Sequence, residues 1–194
     1  MAPDVSAKLK KVPVPVASPT IISVFQPPSD APMRGTLQCD WGATAIPRSD
    51  AWRCGGTIPG SAGNIFDPCF EMPAKPGYVV CLVTPYASGN AVAAKLQAPL
   101  GEQHRNPPTI ATDPASAWFV ELSDGGVCQR FGGTSVLTTE GPLWWRCDTG
   151  EFVLTLQPGQ PRWAVTVVTV QTGTGELFAP ISSRRTVSVT RVWE

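Results

Sequence analysis

The chain has few charged residues, a single histidine and no long hydrophobic run. Only 15% of its 194 residues are charged, and the formal net charge is zero. Nucleic-acid-binding proteins need a basic face to neutralise phosphates, so the composition argues against nucleic-acid partners. It argues equally against a polybasic membrane-surface module. No segment has the apolar length of a membrane span, and no secretory h-region is present.

Residue types that carry catalysis are also scarce. A Ser-His-Asp or Cys-His site would have to use His104, the only histidine. The sequence has no P-loop, dinucleotide-binding fingerprint, EF-hand loop or nucleophile elbow. Hydrolysis of glycans by two carboxylates needs no histidine, and its candidates are Asp67, Glu71, Glu121 and Asp124. Nothing in the sequence singles these four out, so the inventory leans against an enzyme and implies no cofactor.

Six cysteines are the most informative residues that are present. They are Cys39, Cys54, Cys69, Cys81, Cys128 and Cys147. Structural zinc sites use closely spaced pairs such as C-x2-C, whereas the closest two cysteines here are 12 residues apart. We therefore expect three disulfides and no metal, which places the protein in an oxidising compartment outside the cytosol. We expect the corresponding signal or anchor segment to be absent from this chain.

Six cysteines can pair in fifteen ways, and the sequence favours pairing between neighbours. Cys69 and Cys81 flank the turn-rich residues 73–77, so a hairpin could bring them within disulfide distance. Cys128 and Cys147 would close one meander of strands, and Cys39 with Cys54 follows by elimination. Each such bond contributes about 3 kcal/mol in the chain-entropy model.

Proline divides the chain into two parts. Residues 1–34 contain seven prolines and no clear apolar period, which predicts an extended leader or linker. Within it, the β-branched residues 20–25 have two interpretations, as part of the linker or as a first strand. Residues 35–194 are predicted to form a single β domain.

The pattern after residue 34 is all-β. Helical periodicity is not convincing anywhere, and 21 prolines and 18 glycines divide the chain into short pieces. Residues 118–122 and 127–131 read as a hairpin around Asp124-Gly125. Residues 163–171 and 186–193 read as the longest strands, with a loop over 172–185. We predict a mainly antiparallel β-sandwich or partly open barrel, stapled by disulfides.

Four segments together resemble a known kind of domain. They are residues 49–54 (SDAWRC), 65–70 (IFDPCF), 79–81 (VVC) and 118–128 (WFVELSDGGVC). The pattern is similar to a poorly characterised cysteine-containing domain of exported actinobacterial-type proteins, over about residues 36–194. The resemblance implies a secreted or cell-surface setting, and it implies no catalytic residues.

The tryptophans supply the candidate binding residues. Neighbouring strand residues point to opposite faces, so an inward Cys147 would leave Leu143 and Trp145 inward and Trp144 and Arg146 outward. An exposed tryptophan beside an arginine suits a sugar ring or a partner side chain, although large aromatics more often fill a core. By the same logic Trp52 packs beside Cys54 in the core, and Arg53 points outward.

Three hypotheses follow for function. The first is an exported, non-catalytic bacterial binding module that recognises a protein or glycan at the cell surface through Trp144, Arg146 and Arg53. The second is a structural subunit of a surface layer or filament, in which residues 20–25 add a strand to a neighbour. The third is a carboxylate-dependent glycan hydrolase. The sequence does not indicate the oligomeric state.

Overall fold

Short β-strands make up most of the described chain. The computed structural model describes residues 18–60, 64–82, 91–107, 116–131, 135–159, 161–171 and 177–194. A 3₁₀ helix spans Glu102–His104. The strands are β1 (Ile21–Ser23), β2 (Met33–Gly42), β3 (Ala51–Thr57), β4 (Ile65–Glu71), β5 (Tyr78–Leu82), β6 (Ala91–Leu96), β7 (Phe119–Leu122), β8 (Val127–Arg130), β9 (Val136–Thr138), β10 (Gly141–Leu143), β11 (Trp145–Cys147), β12 (Phe152–Gln157), β13 (Ala164–Val170) and β14 (Ile181–Trp193).

Strands β2 to β6 form a closed five-stranded barrel. Consecutive strands pair antiparallel, and β6 closes the barrel by pairing parallel with β2. The parallel closure follows from the odd number of strands, because the first and fifth strands of a meander run in the same direction. The barrel interior contains Leu37, Trp52, Val79 and two disulfides, Cys39–Cys54 and Cys69–Cys81.

A second barrel follows in the chain. Its strand order is β14-β13-β12-β11-β8-β7, and β14 closes it by pairing with β7 as well as β13. The interior is rich in valine around the Cys128–Cys147 disulfide, whose two cysteines lie directly opposite each other on β8 and β11. The hairpin of β9 and β10 packs outside the barrel over Phe152 and Val168.

An aromatic cluster joins the two barrels. Phe25 packs against Phe70 of β4 with ring centroids 4.8 Å apart, and against Trp118 at 5.7 Å. All three rings are buried. The Arg48 guanidinium donates to the carbonyl oxygens of Phe25 (2.8 Å) and Glu194 (3.0 Å). These charge-assisted bonds satisfy two part-buried carbonyl groups and fix Phe25 and Glu194 beside the first barrel.

The predicted fold class is confirmed: the protein is all-β, barrel-like and stapled by disulfides between neighbouring cysteines. Of residues 20–25, Ile21–Ser23 form β1, which pairs parallel with β14. Strand β2 starts at Met33, just before the predicted boundary at residue 34, and residues 1–17 lie outside the described residues. The hairpin of residues 118–131 is present as β7 and β8.

One predicted loop is wrong in part. Residues 181–185 were expected to belong to a loop over 172–185, but β14 begins at Ile181 and pairs with β13 there. This part of β14 is mostly exposed and polar, so it lacks the alternation of apolar residues that marks a half-buried strand. Residues 172–176 lie outside the described residues.

Candidate functional site

The predicted binding residues Trp144 and Arg146 are both exposed on the second barrel. Trp144 has 43% of its surface exposed and lies between β10 and β11. Trp145 packs partly buried against the barrel core, and Cys147 is buried. The predicted orientation of these four residues is therefore confirmed, while binding by Trp144 and Arg146 stays a prediction.

The predicted orientation of Leu143 is wrong. Leu143 is buried, but in the outer cluster with Phe152 and Val168 and not in the barrel interior with Trp145. The cause is the interruption of the strand at Trp144, since β10 ends at Leu143 and β11 begins at Trp145. Alternation cannot be carried across a break between two strands.

Arg53 lies on a different surface from Trp144 and Arg146. It belongs to β3 in the first barrel, directly opposite Trp41 of β2. Directly opposed residues on antiparallel strands share a face, with Cβ atoms about 4.5–5.5 Å apart. The structure therefore groups Arg53 with a tryptophan of its own barrel, and Trp52 beside it is buried in the core with Cys54, as predicted.

A β-bulge turns Trp41 outward. Gln38 pairs with Gly55, whereas Trp41 pairs with Arg53, so β2 has one residue more than β3 between these two pairs. The extra residue changes the phase of alternation, because two residues of one strand then oppose one of the other. Cys39 stays buried and Trp41, two positions later, is 58% exposed.

The indole of Trp41 is backed by the only histidine. The His104 and Trp41 rings are stacked, with centroids 3.7 Å apart and planes 24° apart. His104 ends the short 3₁₀ helix and is half-buried. The stack restricts the rotation of both side chains, so Trp41 is an exposed aromatic ring that is already held in place.

Residues 101–106 hold His104 in position. Gly101 crosses β2 so closely that a Cβ atom there would lie 2.3 Å from the Asp40 carbonyl oxygen. Arg105 donates to the Ser49 carbonyl at 2.5 Å and forms ion pairs with Glu71 and Glu102. The side-chain hydrogen bond between Arg105 and Glu102 raises the pKa of Arg105, with a smaller contribution from Glu71, and it lowers the pKa of Glu102.

Asn106 completes this attachment. Its side-chain amide donates to the Ala43 carbonyl at 2.8 Å and to the Ile46 carbonyl at 3.4 Å. A Cβ atom at Gly42 would lie 2.6 Å from the same amide group, so a glycine is needed where the two segments touch. The connection between β2 and β3 and residues 101–106 therefore form one rigid support for the Trp41–His104 stack.

A surface pocket of about 430 Å³ lies beside the stack. His104 does not line it, so the imidazole supports the indole from outside the pocket. Gly55 and Gly56 leave the floor without side chains. The lining residues are Gln38, Asp40, Trp41, Arg53, Cys54, Gly55, Gly56, Ile65 and Gln97.

Two charged groups of opposite sign face this pocket. The Asp40 carboxylate accepts a hydrogen bond from the Gln38 side-chain amide at 2.8 Å. The Arg53 guanidinium forms no ion pair or hydrogen bond with any residue in the described ranges. The pocket thus offers one guanidinium with its donors available, a carboxylate, two amides and an aromatic ring, which can together bind a small polar ring.

The four carboxylates considered for hydrolysis have separate structural roles. Asp67 and Glu71 lie on β4, while Glu121 and Asp124 lie in the second barrel. In the first barrel, Asp67 accepts hydrogen bonds from the Thr44 and Ala45 amides, and Glu71 accepts from Trp52 Nε1 and Arg105. In the second barrel, Glu121 accepts from Trp193 Nε1, and Asp124 accepts from the Gly126 amide and Arg185. No donor is shared between any two of the four.

Two further properties concern only the described residues. Among them, no three His, Cys, Asp or Glu side chains are grouped so that they could hold a metal ion. No helix in the same ranges is long and apolar enough to cross a membrane.

Trp41 and His104 were not identified as binding residues from the sequence. Alternation from the inward Cys39 would place Trp41 in the core, and nothing in the residues around it marks the bulge. His104 lies in a polar, proline-flanked stretch far from Trp41 in the sequence. The only signal in the sequence that could have identified His104 is that a single histidine in a polar segment is able to contact another surface residue.

Comparison with known proteins leaves the site to be interpreted from its own geometry. No family model, curated protein or solved structure matches the chain.

Proposed function

We propose that the chain is an exported bacterial binding module, secreted or held at the cell surface, that recognises a glycan or protein without catalysis. Three disulfides support an oxidising compartment, because thiols stay reduced in the cytosol. The resemblance of residues 36–194 to exported actinobacterial-type domains supports the same setting. Both arguments concern location, and the site itself must supply the argument for binding.

The observation that carries the proposal is the exposed Trp41 ring, stacked on His104 beside a polar pocket. A single exposed tryptophan is common on protein surfaces and does not indicate a binding site by itself. Here residues 101–106 hold the ring in one orientation, which lowers the entropic cost of binding. Tryptophan and arginine are also the residue types most enriched where binding energy concentrates.

The proposal is tested on an array of glycans, bacterial cell-wall polymers and surface proteins. The proteins compared are the wild type, Trp41→Ala, Trp41→Phe and Trp144→Ala. We expect Trp41→Ala to weaken binding at least about tenfold, as for other tryptophans at the centre of an interface. Trp41→Phe keeps a flat ring and should retain most of the affinity.

The same array tests the residues predicted from the sequence. Loss of binding in Trp144→Ala, with Trp41→Ala unaffected, would move the site to Trp144 and Arg146 on the second barrel. Equal binding by all four proteins would show that neither tryptophan is at the site. A wild-type protein that binds nothing on the array would contradict the proposed function.

One observation favours the second candidate function, a structural subunit. Strand β1 lies at an edge of its sheet. Its first residue, Ile21, and the residue that follows it, Val24, are 52% and 53% exposed. An exposed edge strand is a surface to which another chain can add a strand. In this structure β1 itself pairs with β14 of its own chain, so assembly would use the free side of β1.

Sedimentation over a range of concentrations tests this candidate, with Val24→Lys as the variant. Self-association that Val24→Lys abolishes would support a subunit, because a charge at the edge opposes strand addition. A wild type that stays monomeric at every concentration would contradict it.

A further inference from the structure

We propose that the pocket beside Trp41 binds a pyranose carrying one carboxylate, with the sugar ring on the indole and the carboxylate on Arg53. This inference rests on the proposed binding function and narrows it to one ligand class. It follows from three features of the pocket: an available cation, a carboxylate that is already engaged, and a flat aromatic wall with polar neighbours.

The cation is the first feature. Arg53 is partly buried at the pocket, and it has no anionic partner in the described ranges. Arg48 and Arg105 of the same barrel are committed to Asp50 and Glu71. Arg34 of β2 is exposed but does not line the pocket. A guanidinium with its donors available is suited to bidentate binding of a carboxylate.

The engaged carboxylate limits the charge of the ligand. Asp40 lines the same pocket and accepts a hydrogen bond from Gln38. It leaves the pocket with no net charge, so a ligand with several anionic groups would meet repulsion from Asp40. Asp40 retains lone pairs that can accept from hydroxyl groups, and the amides of Gln38 and Gln97 can both donate and accept.

The shape favours a sugar over an acidic peptide. Residues Gln38, Trp41, Arg53 and Gly55 lie on the same outer face of β2 and β3, because of the bulge. The ring of Trp41 therefore stands beside the guanidinium, over a floor that lacks side chains at Gly55. A pyranose presents an apolar C–H face to such a ring and hydroxyl groups around its edge, whereas a peptide anchor usually enters an apolar pocket.

Titration calorimetry and NMR chemical shifts with two matched probes test the inference. The probes are methyl β-glucuronide and methyl β-glucoside, which differ only at C6, where the first has a carboxylate and the second a hydroxymethyl group. We expect the wild type to bind the glucuronide about tenfold more tightly at low salt, and the difference to shrink as salt is added. Arg53→Gln should lose this preference and keep its affinity for the glucoside, while Trp41→Ala should lose affinity for both.

Arg34→Gln is the matched control. Arg34 is an exposed arginine of β2 that does not line the pocket, so its loss removes the same charge and should leave the preference unchanged. Circular dichroism establishes that each variant is folded.

The outcomes separate this inference from the proposed function. Equal affinity of the wild type for both probes, or a preference retained by Arg53→Gln, would overturn the acidic-sugar inference and leave a Trp41-dependent binding module standing. Arg53-dependent binding of an acidic peptide, with neither sugar bound, would replace the ligand class. A protein that binds neither probe nor anything on the wider array would overturn both proposals.

Discussion

Replacing Arg105 by methionine tests whether residues 101–106 are a rigid support for the Trp41–His104 stack. Arg105 is 29% exposed, and its guanidinium contacts Glu102, Glu71, the Ser49 carbonyl and the face of the Trp52 ring. Methionine keeps much of the apolar length of the side chain and removes all of these polar contacts. The change therefore isolates the contribution of the guanidinium.

The expected loss comes mainly from the less exposed contacts. The pair with Glu102 is open to water and contributes little. The bond to the Ser49 carbonyl and the half-buried pair with Glu71 should contribute about 1 kcal/mol each after allowance for exposure. The cation–π contact, with the guanidinium 4.9 Å from the Trp52 ring centroid, adds about 0.5 kcal/mol. We expect a loss of about 2–3 kcal/mol and a Tm lower by about 4–12 °C.

Urea unfolding followed by circular dichroism and tryptophan fluorescence measures this loss. Arg105→Lys keeps the charge and loses the planar guanidinium, so its stability should lie between those of the wild type and Arg105→Met. Arg34→Met is the matched control, because it removes an exposed arginine from the same barrel. Surface substitutions usually change the free energy of unfolding by no more than about 0.5 kcal/mol. If Arg105→Met differs from the wild type by no more than this, residues 101–106 are not held as described.

Three further changes test separate parts of the structure. Gly55→Leu should fill the pocket and abolish binding with little loss of stability, because a Cβ atom there meets only ordinary contacts. Thermal unfolding measures the stability and the binding array measures the binding, and a variant that binds fully would place the ligand elsewhere. Gly101→Ala should destabilise the first barrel by about 1–3 kcal/mol, since the new methyl group would overlap a backbone oxygen of β2; an unchanged urea midpoint would contradict that contact. Hydrogen bonds from Arg185 lower the pKa of Asp124 and Glu151 in the folded protein. The stability that these ion pairs contribute is therefore fully present above the unfolded pKa values of about 4, and it is lost as the pH falls through the lower folded values. Unfolding of Arg185→Gln from pH 7 to pH 2.5 should therefore show a deficit of about 0.5–1 kcal/mol that disappears in acid, and a deficit independent of pH would exclude the ion pairs as its source.

The sequence predicted those parts of the fold that depend on local pattern. The hairpin of β7 and β8 follows from Asp124-Gly125, where Gly125 has a φ of +90° that most residues avoid. The neighbouring cysteines pair because successive strands of a meander lie side by side. Division of the strands into two barrels could not be predicted, because closure depends on strands far apart in the sequence. The first barrel closes by pairing of β6 with β2, and the second closes because the long β14 pairs with β13 along its first part and with β7 at its end.

The candidate site shows the same limit at the scale of one residue. Trp52 and Cys54 were placed correctly, since β3 itself keeps its alternation from Trp52 to Cys54. The same rule fails for Trp41, because Cys39 and Asp40 together oppose the single residue Cys54. Cys39 and Cys54 are also a disulfide pair, and this pairing was predicted from the sequence. The cross-link fixes the bulge at Cys39 and Asp40, which was not predicted from the sequence. The disulfide therefore does more than stabilise the barrel: it holds β2 and β3 in the register that places Trp41 and Arg53 on one outer face, where they can share a ligand.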